Sequence, residues 1–244
     1  MIKLERRNPP ENLNQEFIET KKTEFITYGK SVWNISWLKD SLLDLSYSKC
    51  AYCECYLMEE SKFMEVDHFE NKDKYPDRVM DWDNLLPSCK RCNGNKNDHD
   101  VLIDPIINPF IDNPSTHLSL KFYRFNYKDS KGRNTIEALG LNDTEMITNK
   151  RYEVGTRLLE TMEIAIERLE QFEKNKTILR KNKLLGTVKG ILKECQKNSN
   201  YSATCSTVLH SSQGYLDLRD RMLFNEIWDD ELVELHDNSI ILVL

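Results

Sequence analysis

The chain has 244 residues, of which 30% are charged and 39% hydrophobic, and its net charge is -6. That length is enough to bury a real core in one large domain or two small ones. The acidic balance excludes a protein that coats nucleic acid by bulk electrostatics. The longest apolar run, Ile240 to Leu244, is far too short to span a membrane.

The opening Met1-Ile2-Lys3-Leu4-Glu5-Arg6-Arg7 has no apolar stretch behind it and is not a secretory signal. The expected location is therefore the cytoplasm, where the seven cysteines are metal ligands or buried thiols rather than disulfides. Residues 1–48 read as an N-terminal arm and short helices: Pro9-Pro10 and Asn12 mark a turn. Leu13, Phe17 and Ile18 recur at helical spacing, as do Trp37, Leu38, Leu42, Leu43 and Leu45.

Residues 49–110 hold two cysteine pairs. Cys53–Met58 and Phe63–Phe69 read as two short strands with Glu59-Glu60-Ser61 as their turn, followed by a charged loop and a short helix from Cys89 to about Asp98. Asp104-Pro105 and Asn108-Pro109 close the segment, because a residue before proline avoids helix. Residues 111–244 form a mostly helical region. A strand is expected over 117–128, with a turn at Ser130-Lys131-Gly132. From Asp143 a stripe of Ile147, Val154, Leu158, Leu159, Met162, Ile166 and Leu169 predicts an amphipathic helix. Further helices are expected over 176–195 and 212–228, with a break at Asn198-Ser199-Asn200. The fold class this predicts is α+β: a mainly helical chain around a small zinc-stapled core.

Cys50-x2-Cys53 and Cys89-x2-Cys92 have the spacing of knuckles that aim thiolates at one tetrahedral Zn2+. The 35 residues between them exceed the roughly 15–20 of an ordinary zinc ribbon, leaving room for a hairpin and a loop. Cys55, Cys195 and Cys205 are read as core residues. Between the pairs, Asp67-His68 ends an apolar-alternating strand, with Val66 and Phe69 expected in the core and the Asp and His facing a groove. A carboxylate there can hold a hard cation through oxygen, and an imidazole can take a proton from water near neutral pH. Asn84 and Asn93 follow at distances that suit a loop and the first turn of a helix.

This order, Cys-x2-Cys, Asp-His, Asn-Leu, Cys-x2-Cys-Asn-x2-Lys, resembles the HNH endonucleases, the ββα-metal nucleases. The resemblance implies that His68 activates water, that Asn84 fixes the loop that orients it, and that Asp67 and Asn93 bind a catalytic Mg2+ or Mn2+. Asn97 is a further candidate ligand, and Lys90, Arg91 and Lys96 are candidate nucleic-acid contacts. Further runs make the likeness closer: Met1-Ile2-Lys3-Leu4-Glu5-Arg6 before Pro9-Pro10, Val66-Asp67-His68-Phe69, Lys74-Tyr75-Pro76, Trp82-Asp83-Asn84-Leu85, and Asp112-Asn113-Pro114 ahead of His117-Leu118. They resemble the nucleases of Septu and retron-type anti-phage systems over about residues 1–150. That resemblance implies a partner, a PtuA-like ABC-type ATPase, and a nucleic-acid substrate, DNA or alternatively RNA, with no membrane.

Two other readings are a stand-alone HNH enzyme of restriction or homing type and a non-catalytic zinc module that bridges partners. The stand-alone enzyme would need its own nucleic-acid surface. The one candidate is the stretch from Lys174 to Lys197, with eight basic residues against Glu194 alone. From Asp217 to Asp237, eight acids face two arginines. These are either two solvated helix faces or a phosphate-facing helix and an acidic partner surface.

Overall fold

The computed structural model describes residues 1–58 and 64–244. The expected turn Glu59-Glu60-Ser61 and the start of the second expected strand, Phe63, lie outside the described residues. The chain forms two compact units. The first comprises Met1–Ser119 and Phe125–Asn142, and the second Leu120–Arg124 and Asp143–Leu244.

In the first unit, α1 (Gln15–Tyr28) starts at Asn14, whose side chain accepts from Phe17 N, and stops at Gly29 in the left-handed conformation. It buries none of its residues. Helix α2 (Ser36–Leu45) buries Leu38, Leu42, Leu43 and Leu45, as its spacing predicts. Strand β1 (Met64–His68) pairs antiparallel with β2 (Leu85–Cys89), setting Val66 against Pro87 and His68 against Leu85. Helix α3 (Lys90–Lys96) follows at once.

The hairpin is therefore not the one expected. Cys53–Met58 is not a strand: it makes one bridge, Lys49 to Tyr56, and otherwise wraps tightly, with Cys50 N on Cys55 O and Glu54 N on Cys50 O. Glu54 takes a left-handed φ of 65° to close that wrap. The knuckle then docks on β2, Ala51 N donating to Pro87 O at 2.9 Å. The second strand, β2, lies in the segment expected as loop, and contains Pro87, which offers no N–H to a ladder.

Helix α4 (Pro114–His117), β3 (Leu118–Lys121), β4 (Arg124–Tyr127) and α5 (Ser130–Ala138) follow. The single strand expected over 117–128 is a hairpin that turns at Phe122-Tyr123, both at positive φ. Ser130-Lys131-Gly132 is not a turn but the first turn of α5, because Asp129 caps it by accepting from Gly132 N at 2.8 Å.

The N-terminal arm is fixed to the hairpin loop and to the segment around Pro109. Leu4 N donates to Pro109 O, and Trp82 Nε1 to Arg7 O at 2.8 Å. Arg6 donates to Leu85 O at 3.0 Å and lies against the Phe110 and Trp82 rings. The residues that first looked like a signature are thus scaffold for the segment 82–85.

The second unit is helical: α6 (Asn149–Lys174), α7 (Ile178–Glu194), α8 (Ser202–His210), α9 (Gln213–Phe224) and α10 (Asp230–Ile240). The stripe on α6 buries Leu158, Met162 and Leu169 against Leu184, Val188 and Ile191 of α7, Leu209 of α8, and Tyr215 and Met222 of α9. Gly155 of α6 lies under Tyr123, whose Cε1 would be 2.4 Å from an added Cβ. The basic and acidic stretches meet each other here: Lys189 pairs with Asp229 at 2.8 Å and Glu231 at 2.6 Å, and Lys193 with Glu231 at 3.4 Å. No described helix is long and apolar enough to cross a membrane.

Candidate active site and zinc centre

The sulfurs of Cys50, Cys53, Cys89 and Cys92 all lie within 4.8 Å of one another. Zinc–thiolate bonds of about 2.3 Å in a tetrahedron put sulfurs about 3.8 Å apart, and Cys53 and Cys89 are 3.7 Å apart. The four sulfurs fit Zn2+. Cys89 also caps α3, its sulfur accepting from Cys92 N at 3.4 Å, so the helix start and the metal site share a residue. Hydrogen bonds from the neighbouring cysteines, Cys50 first, pull the Cys53 and Cys89 thiols below their ordinary values, Cys89 to about 4. Cys55 touches Cys53 at 3.5 Å but stays outside the four. Cys195 and Cys205 are buried in the core of the second unit.

His68 stands at the end of β1, where its ring meets the Trp33 ring edge-on at 4.6 Å between centroids. Its Nε2 is 3.0 Å from Val79 O. A carbonyl can only accept, so Nε2 carries the proton and Nδ1 the free lone pair. Burial pushes the imidazole pKa down to about 4, with the Asp67 charge opposing. The ring is neutral at physiological pH.

The loop that carries this carbonyl is held by Asn84, which is fully buried. Asn84 Oδ1 accepts from Glu70 N at 2.7 Å, and Nδ2 donates to Glu70 O and Arg78 O, each at 3.1 Å. One amide thus pins both ends of the loop that delivers Val79 O.

Asp67 and His68 do not face an open groove as expected: both are buried, at 3% and 6% exposure. Asp67 accepts from Tyr52 OH at 2.5 Å on Oδ2 and from Lys96 Nζ at 3.1 Å on Oδ1. Lys96 also donates to His68 O at 2.6 Å. Its ammonium therefore points inward as the counter-ion of Asp67, not outward at phosphate, because helix α3 packs that face on the hairpin. Arg91 is likewise engaged, with Gly140 O at 3.0 Å and Cys92 Sγ at 3.3 Å. Burial works against its charge, but the cysteine sulfurs around it outweigh burial and raise its pKa. Of the three expected nucleic-acid contacts, Lys90 is the exposed one.

Asn93 donates from Nδ2 to Glu65 Oε2 at 2.8 Å, which leaves its Oδ1 as the open ligand atom. Glu65 and Asp67 share a face of β1, since strand side chains alternate. Glu65, Asp67 and Asn93 carry oxygen donors of the kind that suit Mg2+ or Mn2+, with Glu65 and Asn93 in contact and Asp67 bonded to Tyr52 and Lys96. Asn97 is not brought to them: it follows α3 at φ 41°, exposed, with its amide on Asp98 at 3.2 Å. Sequence reading gave no role to Glu65, Tyr52 or Trp33. The period-two spacing of Glu65 and Asp67 was the available signal for the first, and nothing local marked the other two.

A cysteine-knuckled hairpin and helix carrying a loop-pinned histidine define an HNH endonuclease, and the HNH endonuclease family model matches residues 50–99. Over 98% of its length the chain is 43% identical to the Septu protein PtuB of Bacillus thuringiensis, covering 93% of that protein. A second Septu protein PtuB, from Bacillus mycoides (strain KBAB4), is 28% identical over 64% of this chain and 67% of its own length. The chain belongs to the Septu PtuB family.

Proposed function

We propose that this nuclease cuts DNA in anti-phage defence, in the cytoplasm, in complex with a PtuA-like ABC-type ATPase. A structural Zn2+ on Cys50, Cys53, Cys89 and Cys92 and a catalytic Mg2+ or Mn2+ on Asp67 and Asn93 complete it. The observation that carries this reading is the His68 geometry: a neutral ring whose Nε2–H is fixed on Val79 O by the Asn84-pinned loop.

In this reading His68 Nδ1 takes the proton of the attacking water, and the Val79 carbonyl stabilises the imidazolium that forms. Asn84 keeps the ring aimed. Glu65 turns Asn93 so that an oxygen faces the cation. Lys96 and Tyr52 hold Asp67 in place. A cation held by Asp67 and Asn93 would supply charge stabilisation to the reacting phosphate. The net charge of -6 is consistent with an enzyme that gains nucleic-acid affinity from a partner. Thiolate zinc ligands suit a reducing compartment.

The test is cleavage of plasmid DNA and bulk RNA by the wild type and His68→Ala, with Mg2+ or Mn2+, with and without the ATPase. Metal-dependent DNA cleavage, lost in His68→Ala and dependent on the ATPase, is expected. A fully active His68→Ala protein removes the catalytic assignment, and cleavage of RNA alone changes the substrate.

A further inference from the structure

A pocket of about 470 Å³ lies beside the catalytic histidine but contains none of the residues assigned above except Trp33, on its wall. We propose that this pocket, walled by Phe25, Ile26 and Trp33 and flanked by Lys72, receives an unpaired base of the nucleic-acid substrate close to the scissile phosphate. The proposal rests on the nuclease reading and names how that site holds its substrate.

Three observations carry it. First, the indole that lines the pocket is the one that meets His68 at 4.6 Å, so pocket and proton acceptor share a wall. A nucleotide seated there has its neighbouring phosphate near the reacting groups. Second, the surface is aromatic and partly exposed. The Phe25 and Trp33 rings meet edge to face at 5.8 Å and 66°. Helix α1 buries none of its residues, Ile26 is 56% exposed, and Phe25 and Trp33 are half-buried, so each leaves apolar surface open to the pocket. Third, cations accompany the rings. Lys72 Nζ is 5.7 Å from the Trp33 ring and pairs with its exposed neighbour Asp73 at 3.1 Å, a pair weak enough to exchange for phosphate. Lys30, at 5.3 Å from the Tyr28 ring, adds a second cation at the end of α1.

A stacking surface with ammonium groups at its edge is the chemistry that holds single-stranded nucleic acid. The ring takes the base face, and the cation takes the phosphate. The volume falls in the range of pockets that enclose a small organic group, roughly 300–1,000 Å³. An apolar peptide side chain would use the rings but leave the cations without a role.

The test is binding by the full chain carrying His68→Ala in the presence of the ATPase, so that cleavage does not consume the probe. A labelled single-stranded oligonucleotide is compared with one of the same length bearing abasic sites. Stacking predicts at least about tenfold tighter binding of the base-containing strand. Phe25→Ala and Ile26→Asp, at partly exposed positions, are expected to erase that difference while the melting temperature holds. Lys72→Ala is expected to weaken both strands and lower the salt dependence. Equal affinity for the two strands, no binding of either, or discrimination that survives in both pocket variants overturns the proposal. Cleavage by the wild type is scored separately. With the ATPase and Mg2+ or Mn2+ present, equal cleavage of the two strands by an active enzyme sinks the pocket alone, whereas an enzyme still inactive under those conditions sinks the nuclease reading.

Discussion

Lys96 Nζ lies 3.1 Å from Asp67 Oδ1, and both side chains are almost completely buried, at 1% and 4% exposure. The pair joins helix α3 to strand β1. An ammonium in that place balances the Asp67 charge, while Tyr52 OH holds the other carboxylate oxygen at 2.5 Å.

Removing Lys96 strands a buried charge. Lys96→Met is expected to lower stability by about 3–5 kcal/mol, the usual cost of breaking a buried pair by removing one partner. Denaturant unfolding of the two proteins measures this. If Lys96 were instead a phosphate contact, stability would be unchanged and only nucleic-acid binding would fall.

The zinc centre makes a separate prediction. One Zn2+ per chain is expected by elemental analysis, lost in Cys89→Ser together with folding of the hairpin and helix, because metal binding and folding are one equilibrium at such sites. Cys195→Ser and Cys205→Ser should keep full zinc, since those cysteines lie in the core of the other unit. Soluble, zinc-loaded Cys89→Ser protein would contradict the four-sulfur assignment.

His68 sets an acid limit. Its folded pKa of about 4 lies below the ordinary 6.5, so the unfolded state takes up a proton that the folded state refuses. Stability from this group is complete above pH 6.5 and erodes as pH falls toward 4, by about 3 kcal/mol in all. Catalysis needs the neutral ring, so kcat/KM should hold through the ordinary imidazole range and fall only as pH nears about 4. A pH–rate limb near 6.5 would mean that the working enzyme exposes this ring.

What the sequence revealed divides by the range of the interaction. Cys50, Cys53, Cys89 and Cys92, His68 and Asn84 were legible because knuckle spacing and the Asp-His and Asn-Leu steps are local. Strand β2 was not, because Pro87 hides it. It forms because the knuckle uses Pro87 O and β1 takes the other edge. Helix α8 was missed because Ser202–Thr207 is buried on nearly all sides and so shows no polar face to give a period. The inward turn of Lys96 and the Glu65–Asn93 contact depend on where α3 packs, 28 or more residues from their partners in sequence. The acidic segment read as a partner surface proved partly occupied by Lys189 and Lys193.

That last finding changes how the partner surface is tested. Asp229 caps α10, accepting from Leu232 N at 3.0 Å, and also pairs with Lys189, so reversing it removes a cap worth about 1 kcal/mol and confuses folding with docking. The exposed face of α10 offers Glu234 and Asp237 beside Val233 and Ile240, acids flanking apolar groups as at a partner interface. Glu234→Lys with Asp237→Lys is expected to leave the melting temperature within about 1 °C, as surface changes away from special features do, and to reduce copurification of the ATPase several-fold. Unchanged copurification would move the docking site off this helix.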